Sequence, residues 1–363
     1  MSKPSDHDAM RSLLERLSNA AGPPGAEDEV RSIVRESLQG VGEIHYDRLG
    51  SILCEKRGAA DAPRVVLDGH LDEVSFMVQS ISKEGRLAFA PLGGWWGHVL
   101  LAQRVEIITE RGRKVHGVIG SKPPHFLSAS EREKVIQLDN MYIDIGATSV
   151  DDVEELGVQI GDPIVPFSEF RELDRPGYLS GKAFDDRVGV GLMVESLRGI
   201  GDDHPNTLIG VGAVQEEVGC RGAQTASALA KPDVAIVLEG TPADDSPGFT
   251  ERQAILGKGP QIRFFDPTAI SNRRLVRCVE SVAADHEIPV QIAVRRSGGT
   301  NAGAIHKFGH GVPTVVIGVP SRYIHTHVSI IHFDDYARAR DLVVALVGVL
   351  DRETVEGFCR FDA

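Results

Sequence analysis

The stretch "NTLIGVGAVQEEVGCRGAQTASALAKPDVAIVLEG", residues 206–240, decides the fold. Two of its runs, 206–215 and 233–238, are apolar almost throughout. A strand covered on both faces reads this way, whereas a strand with one wet face alternates. The segment between them, "GAQTASALA" at 222–230, reads as a helix. Strand, helix and strand in that order are the unit of an α/β protein, with a mostly parallel sheet between helices.

The same alternation extends along the chain. "RVVLDGHLDEVSFMV" (64–78) opens with a short buried strand at Val65, Val66 and Leu67. "DDRVGVGLMVESLRGI" (185–200) reads as a helix, as does 271–285. "IPVQIAV" (288–294) and "PTVVIGVP" (313–320) read as strands, "AGAIHKF" (302–308) as a short helix, and 333–351 as a closing helix. Near the start, Met10, Leu13, Leu14 and Leu17 recur at helical spacing, and Pro23, Pro24 and Gly25 end that helix. Val30, Ile33, Val34 and Leu38 give a second one.

Residues 73–172 break the pattern. Short alternating runs such as "RVEIITERGRKVHGVIG" (104–120) are punctuated by Gly and Pro, the signature of a small β-rich module. Because α/β alternation resumes afterwards, the module is inserted. The expected organisation is one α/β domain from 1–72 and 173–363, with an inserted β-rich domain at 73–172.

The formal net charge of −13 argues against nucleic acid or an anionic membrane as partner, since both are negative. Four cysteines, Cys54, Cys220, Cys278 and Cys359, stand far apart with no C-x-x-C pair, which disfavours a thiolate zinc site and fits free thiols in a reducing compartment. The first residues lack the apolar run of a secretory signal, and no stretch reaches the length of a membrane span. The expected location is the cytoplasm.

In open α/β sheets the site lies beyond the carboxyl ends of the strands. After the first strand come His70 and Asp72; after 206–215 come Glu216 and Glu217; after 233–238 comes Glu239; after 313–320 comes "SRYIHTH" with His325 and His327. Asp185 and Asp186 stand at the mouth of a helix. Taken singly, each is more often a cap, a turn residue or a solvated side chain. Together, imidazoles and carboxylates arriving from separate strands point to a shared site for zinc, cobalt or manganese. Their number exceeds what one tetrahedral ion needs and suits a dinuclear site. Two adjacent glutamates then divide the labour, one binding metal and one taking a proton from the attacking water. Asp72 shares a face with His70 and suits a supporting carboxylate.

The motifs "LDGHLDEVSFMV" (67–78), "SGKAFDDRVGVG" (180–191), "VQEEVGCRGA" (214–223), "SGGTNAGAIH" (297–306) and "PSRYIHTHVS" (320–329) resemble those of the tetrahedral, glutamyl-aminopeptidase-like family of dinuclear metallo-aminopeptidases, within the zinc exopeptidase superfamily. In the inserted module "KPPHFLSASEREK" (122–134) and "YIDIGATS" (142–149) match as well. The resemblance implies a metal-dependent aminopeptidase with two divalent ions, zinc first. His70 and Glu239 would hold one ion, Glu217 and His325 the other, with Asp185 bridging. It assigns Glu216 as general base and Asp72 as support for His70, and it implies a cis Asp185–Asp186 peptide. It implies a peptide substrate and dimers assembling to a dodecamer through the inserted module. A deacylase acting on N-acyl amino acids with the same metals is the alternative. Three positions depart from the common pattern. Glu239 stands where many members have Asp. Asn301 replaces an acid, which bears on substrate preference. Thr326 and His327 follow the last ligand; His327 is near enough to compete as a donor, and reads by preference as a supporting or surface histidine.

"PLGGWWGHVLL" (91–101) carries both tryptophans, Trp95 and Trp96, read either as packing of the module or, by preference, as a subunit interface. The glycine-rich "SGGTNAGAI" (297–305) lacks the lysine of a phosphate-binding loop and reads as backbone presented to substrate.

Overall fold

A computed structural model of the chain describes residues 6–361. One large mixed sheet carries helices on both faces, and a closed six-stranded antiparallel barrel is spliced into it. The parallel reading holds for the four central strands, in spatial order Thr207–Ala213, Arg64–His70, Val234–Pro242 and Thr314–Arg322. Antiparallel strands join this centre on both sides, and Gln291–Val294 adds a parallel partner to Gln261–Asp266. Ile52–Arg57 and Glu43–Tyr46 extend one side, and Gln261–Asp266, Ser329–His332 and Tyr178–Gly181 extend the other. These flanking strands are short or half-exposed, so they lack the continuous apolar signal of the centre.

Register sets the height of the functional residues. Ala213 pairs with His70, and Val237 pairs with Asp68. Glu239, two residues past Val237, therefore ends level with His70.

The helices Asp6–Asn19, Asp28–Ser37, Phe184–Gly199, Arg273–Asp285 and Phe333–Val349 share one core on one face of the sheet. The helices Arg221–Ala230 and Ala302–Ile305 cover the other. Phe184–Gly199 is buried along nearly its whole length, which explains why its middle, 188–194, is apolar all round. It lies against the His70 strand at a point where only glycine fits. A Cβ on Gly69 would come within 2.7 Å of the carbonyl carbon of Gly189.

The barrel runs from Ser75–Ile81 to Pro163–Pro166, with its own apolar core including Phe76, Leu87, Val105, Ile107, Ile119 and Ile143. Trp95 stacks on Phe76 at 4.6 Å between ring centroids and donates to the Ser75 carbonyl, so it packs the module. Trp96 is exposed. No helix among the described residues is long and apolar enough to cross a membrane.

Behind the strand ends lies a buried ion cluster. Glu73 accepts from Lys182 Nζ at 2.6 and 2.8 Å and from Arg187 Nη2 at 3.0 Å. Lys182 also reaches the Ala20 carbonyl, and Arg187 donates to the carbonyls of Leu17, Leu71 and Asp72. The cluster ties the first helix to the turn that follows His70. Removing one partner strands the others without water. Glu73→Ala is expected to cost about 3–5 kcal/mol of unfolding free energy, measured by urea denaturation; a loss below about 1 kcal/mol would show that the cluster is not a keystone of the fold.

Candidate metal centre

Five side chains from separate elements converge beyond the sheet. His70 ends its strand, Glu239 lies in the next, Glu217 follows the Thr207–Ala213 strand, His325 follows Thr314–Arg322, and Asp185 stands at the head of the long buried helix. All five line one cavity of about 460 Å³, with Glu216, Gly94, Arg263, Arg295 and the backbone of 297–300. Asp185 sits between the two imidazoles. Its Oδ1 lies 3.1 Å from His70 Nε2 and its Oδ2 lies 3.4 Å from His325 Nε2. Glu239 Oε2 approaches His70 Nε2 to 3.9 Å, and Glu217 Oε2 approaches His325 Nε2 to 3.5 Å. Donor atoms of His70, Asp185 and Glu217 lie within 4.8 Å of one another, as do those of His70, Asp186 and Glu239.

The donor set is crowded with negative charge. Burial, then the nearby Asp185 carboxylate, pushes Glu217 well above the usual range, and burial, then Asp186, does the same to Glu239. The imidazoles are raised as well. Burial disfavours their charge, but the surrounding carboxylates together outweigh it, Asp185 with Asp72 and Glu216 at His70 and Asp185 with Glu217 at His325, taking His70 well above its ordinary value and His325 to about 10. Glu217 Oε1 is buried without a hydrogen-bond partner. Buried carboxylates facing imidazole nitrogens with lone pairs to spare fit divalent cations, and the mix of nitrogen and oxygen donors suits zinc, cobalt or manganese.

The surrounding hydrogen bonds aim these groups. His325 Nδ1 lies 2.8 Å from the carbonyl of Gly94, in the barrel loop, which leaves Nε2 for the cavity. His70 Nδ1 lies 3.1 Å from the Asp72 carbonyl and 3.5 Å from its carboxylate Oδ1. The Asp72 carboxylate has a further role that spacing did not show. Its Oδ1 accepts from the N–H of Glu216 at 2.9 Å and its Oδ2 from the N–H of Glu217 at 3.0 Å.

Asp186 is joined to Asp185 by a cis peptide bond and points into the fold. It accepts from the backbone N–H groups of His70, Gly189 and Gly240, at 3.0, 2.9 and 2.9 Å. With its oxygens committed to three elements it holds backbone, while Asp185 faces the donors. Non-glycine residues in the left-handed region cluster here too: Ala183, Gln215, Cys220 and His325. Such backbone is held in place by its surroundings and concentrates at functional sites.

The departures from the common pattern find their places. Glu239 reaches the cavity despite its extra methylene. Asn301 does not line the cavity; its Nδ2 donates to the buried Asp68 carboxylate at 2.7 Å, fastening the glycine-rich loop to the His70 strand. His327 is buried beside Trp95 with neither ring nitrogen hydrogen-bonded, and burial lowers it to about 4. It is buried rather than at the surface, and it does not line the cavity. Sequence reasoning missed Gly93 and Gly94. A Cβ on Gly93 would press on Val74 and Glu217, and one on Gly94 would lie 3.3 Å from His325 Nδ1. The glycine pair in "PLGGWW" was the available signal, masked by the tryptophans.

The sequence profile described as M42 glutamyl aminopeptidase matches residues 50–342. The chain is 33% identical to the glutamyl aminopeptidase of Lactococcus lactis subsp. cremoris, covering 94% of this chain and 97% of that one. Among solved structures, a TET aminopeptidase from the marine sediment archaeon Thaumarchaeota archaeon SCGC AB-539-E09 superposes with a TM-score of 0.93 at 46% identity, over 97% of this chain and 99% of that one. The Pyrococcus horikoshii TET1 peptidase, which can assemble into a tetrahedron or a large octahedral shell, superposes with a TM-score of 0.85 at 32% identity, over 94% and 100%.

Asp72→Asn keeps the volume but turns one accepting oxygen into a donor facing an N–H. It is expected to weaken divalent-metal affinity about 10–100-fold, read by competition with a chromophoric chelator. Unchanged affinity would remove Asp72 from the support of the centre.

Proposed function

The chain belongs to the M42 glutamyl aminopeptidase family, and from that premise we propose how its own residues remove N-terminal residues from peptides. His70 and Glu239 hold one divalent ion, His325 and Glu217 hold a second, and Asp185 serves both. The observation that carries this reading is the division of Asp185, one oxygen toward each imidazole. When bound, such ions supply Lewis acidity to the scissile carbonyl and make water a better nucleophile at neutral pH. Zinc suits the donors best, with cobalt or manganese as alternatives.

Glu216 lies in the same cavity and makes no contact with either imidazole among the ion pairs that knit the other carboxylates together. We assign it as general base. It takes a proton from the attacking water and passes it to the departing amine nitrogen. Burial raises it above the ordinary carboxylate range, which moves a base toward the pH at which it works.

The cavity also sets a preference. Arg263 and Arg295 line it, the first paired with Asp266 at 3.1 Å and the second with Asp244 at 2.8 Å, and each keeps a buried Nε without a hydrogen-bond partner. The N–H groups that these carboxylates leave over favour an acidic N-terminal side chain over a basic one. The relatives' shells support a homo-oligomer, with the barrel as the assembly module. Membership of a peptidase family argues against the N-acyl amino acid alternative.

Glu216→Gln is expected to lower kcat by at least about 10²-fold while metal content, measured by mass spectrometry, stays at the parent value. Near-normal turnover would refute the assignment. Chelation is expected to abolish hydrolysis of aminoacyl-anilides, with recovery at about two equivalents of added zinc. Full recovery at one equivalent would reduce the centre to a single ion. A higher kcat/KM for glutamyl- than for lysyl-anilide is expected, and the reverse order would remove the arginines from substrate selection.

A further inference from the structure

Cys220 has no part in the metal chemistry, yet its thiol touches the proposed base. Sγ lies 3.3 Å from Glu216 Oε1 and 3.5 Å from the Thr300 carbonyl. One S–H proton serves two acceptors, and the carboxylate, being charged, is the stronger. The backbone fixes this approach. The N–H groups of Gly219 and Cys220 both donate to the Glu216 carbonyl at 2.8 Å, curling 216–220 into a closed turn. Cys220 stands in the left-handed region at φ 51°, and the next helix starts from it. The thiol is thus pinned by the main chain of the residue whose side chain it contacts.

We propose that Cys220 is a positioning residue for Glu216, its S–H holding the carboxylate in the rotamer that meets the attacking water. The inference rests on Glu216 being the base. Two features make a thiol suited to this place. Burial, then the neighbouring Glu216 charge, pushes Cys220 far above its ordinary range, so it remains a donor at any working pH. A sulfur bond is also weak enough for the carboxylate to release when a proton must travel to the leaving amine. In Cys220→Ala the carboxylate loses this restraint with no change at the metal donors.

The test compares Cys220→Ala, Cys220→Ser and Glu216→Gln with the parent on a glutamyl-anilide. Cys220→Ala is expected to lose about three- to tenfold in kcat with KM unchanged. Cys220→Ser, which restores an O–H donor, is expected to recover to within about twofold. Metal content and melting temperature should match the parent in both. A second measurement needs no turnover. The infrared S–H stretch of Cys220, isolated in each background by subtracting the spectrum of its Cys220→Ser counterpart at equal metal content, should shift between parent and Glu216→Gln. Three results overturn the proposal: parental kcat in Cys220→Ala, equal losses in the alanine and serine variants, or an S–H band indifferent to Glu216→Gln. An active Glu216→Gln enzyme is a different failure, because it removes the base assignment on which the proposal stands.

Discussion

The grip of the buried Asp72 carboxylate on the N–H groups of Glu216 and Glu217 is the interaction on which the site depends. Each hydrogen bond to a charged group contributes about 1.5–3 kcal/mol, and here both act on one turn. That turn must hold two neighbouring glutamates in one cavity, against their mutual repulsion and against the strand habit of sending neighbours to opposite faces. Asp72 also touches His70, so one residue sets the positions of that imidazole and of both glutamates. Asp186 repeats the device with His70, Gly189 and Gly240, joining the strands that carry His70 and Glu239 to the helix that carries Asp185.

These two aspartates solve a problem inherent in the chemistry. A centre that binds doubly charged ions must gather carboxylates where water is scarce, and such groups repel one another and resist ionisation. The fold answers by separating duties. Asp185, Glu217 and Glu239 face the cavity, while the oxygens of Asp72 and Asp186 accept from backbone N–H groups. The adjacent pairs Asp185–Asp186 and Glu216–Glu217 each contain one residue with a role distinct from its neighbour's.

Much of this was legible in the chain. The four central strands are apolar runs because both faces are covered, and each runs out at a chemically conspicuous residue. His70, Glu217, Glu239 and His325 could be picked out by that placement and Asp185 by its position at the mouth of a helix, and the ordered motifs made the family resemblance specific. The flanking strands were less visible. Glu43–Tyr46 and Tyr178–Gly181 are short and only partly buried, so their side chains carry little periodic signal. Contacts made through main-chain atoms were hidden altogether. No pattern of side chains announces that the Gly94 carbonyl orients His325, that Asp72 binds N–H groups 144 and 145 residues away, or that Asn301 fastens a loop to Asp68. Cys220 read as one more free thiol because its partner is an acid four residues earlier, brought close by a closed turn rather than by a helix.

The reach of Gly94 into the centre has a further consequence. The barrel supplies an atom that selects the tautomer of His325, so the two bodies of the chain share one functional centre. Substitutions can then accumulate on the barrel's outer surface, while the inner loop at 93–94 is held by its contact with His325. Excising the barrel to make a minimal hydrolase would remove the guide of His325 along with the appendage.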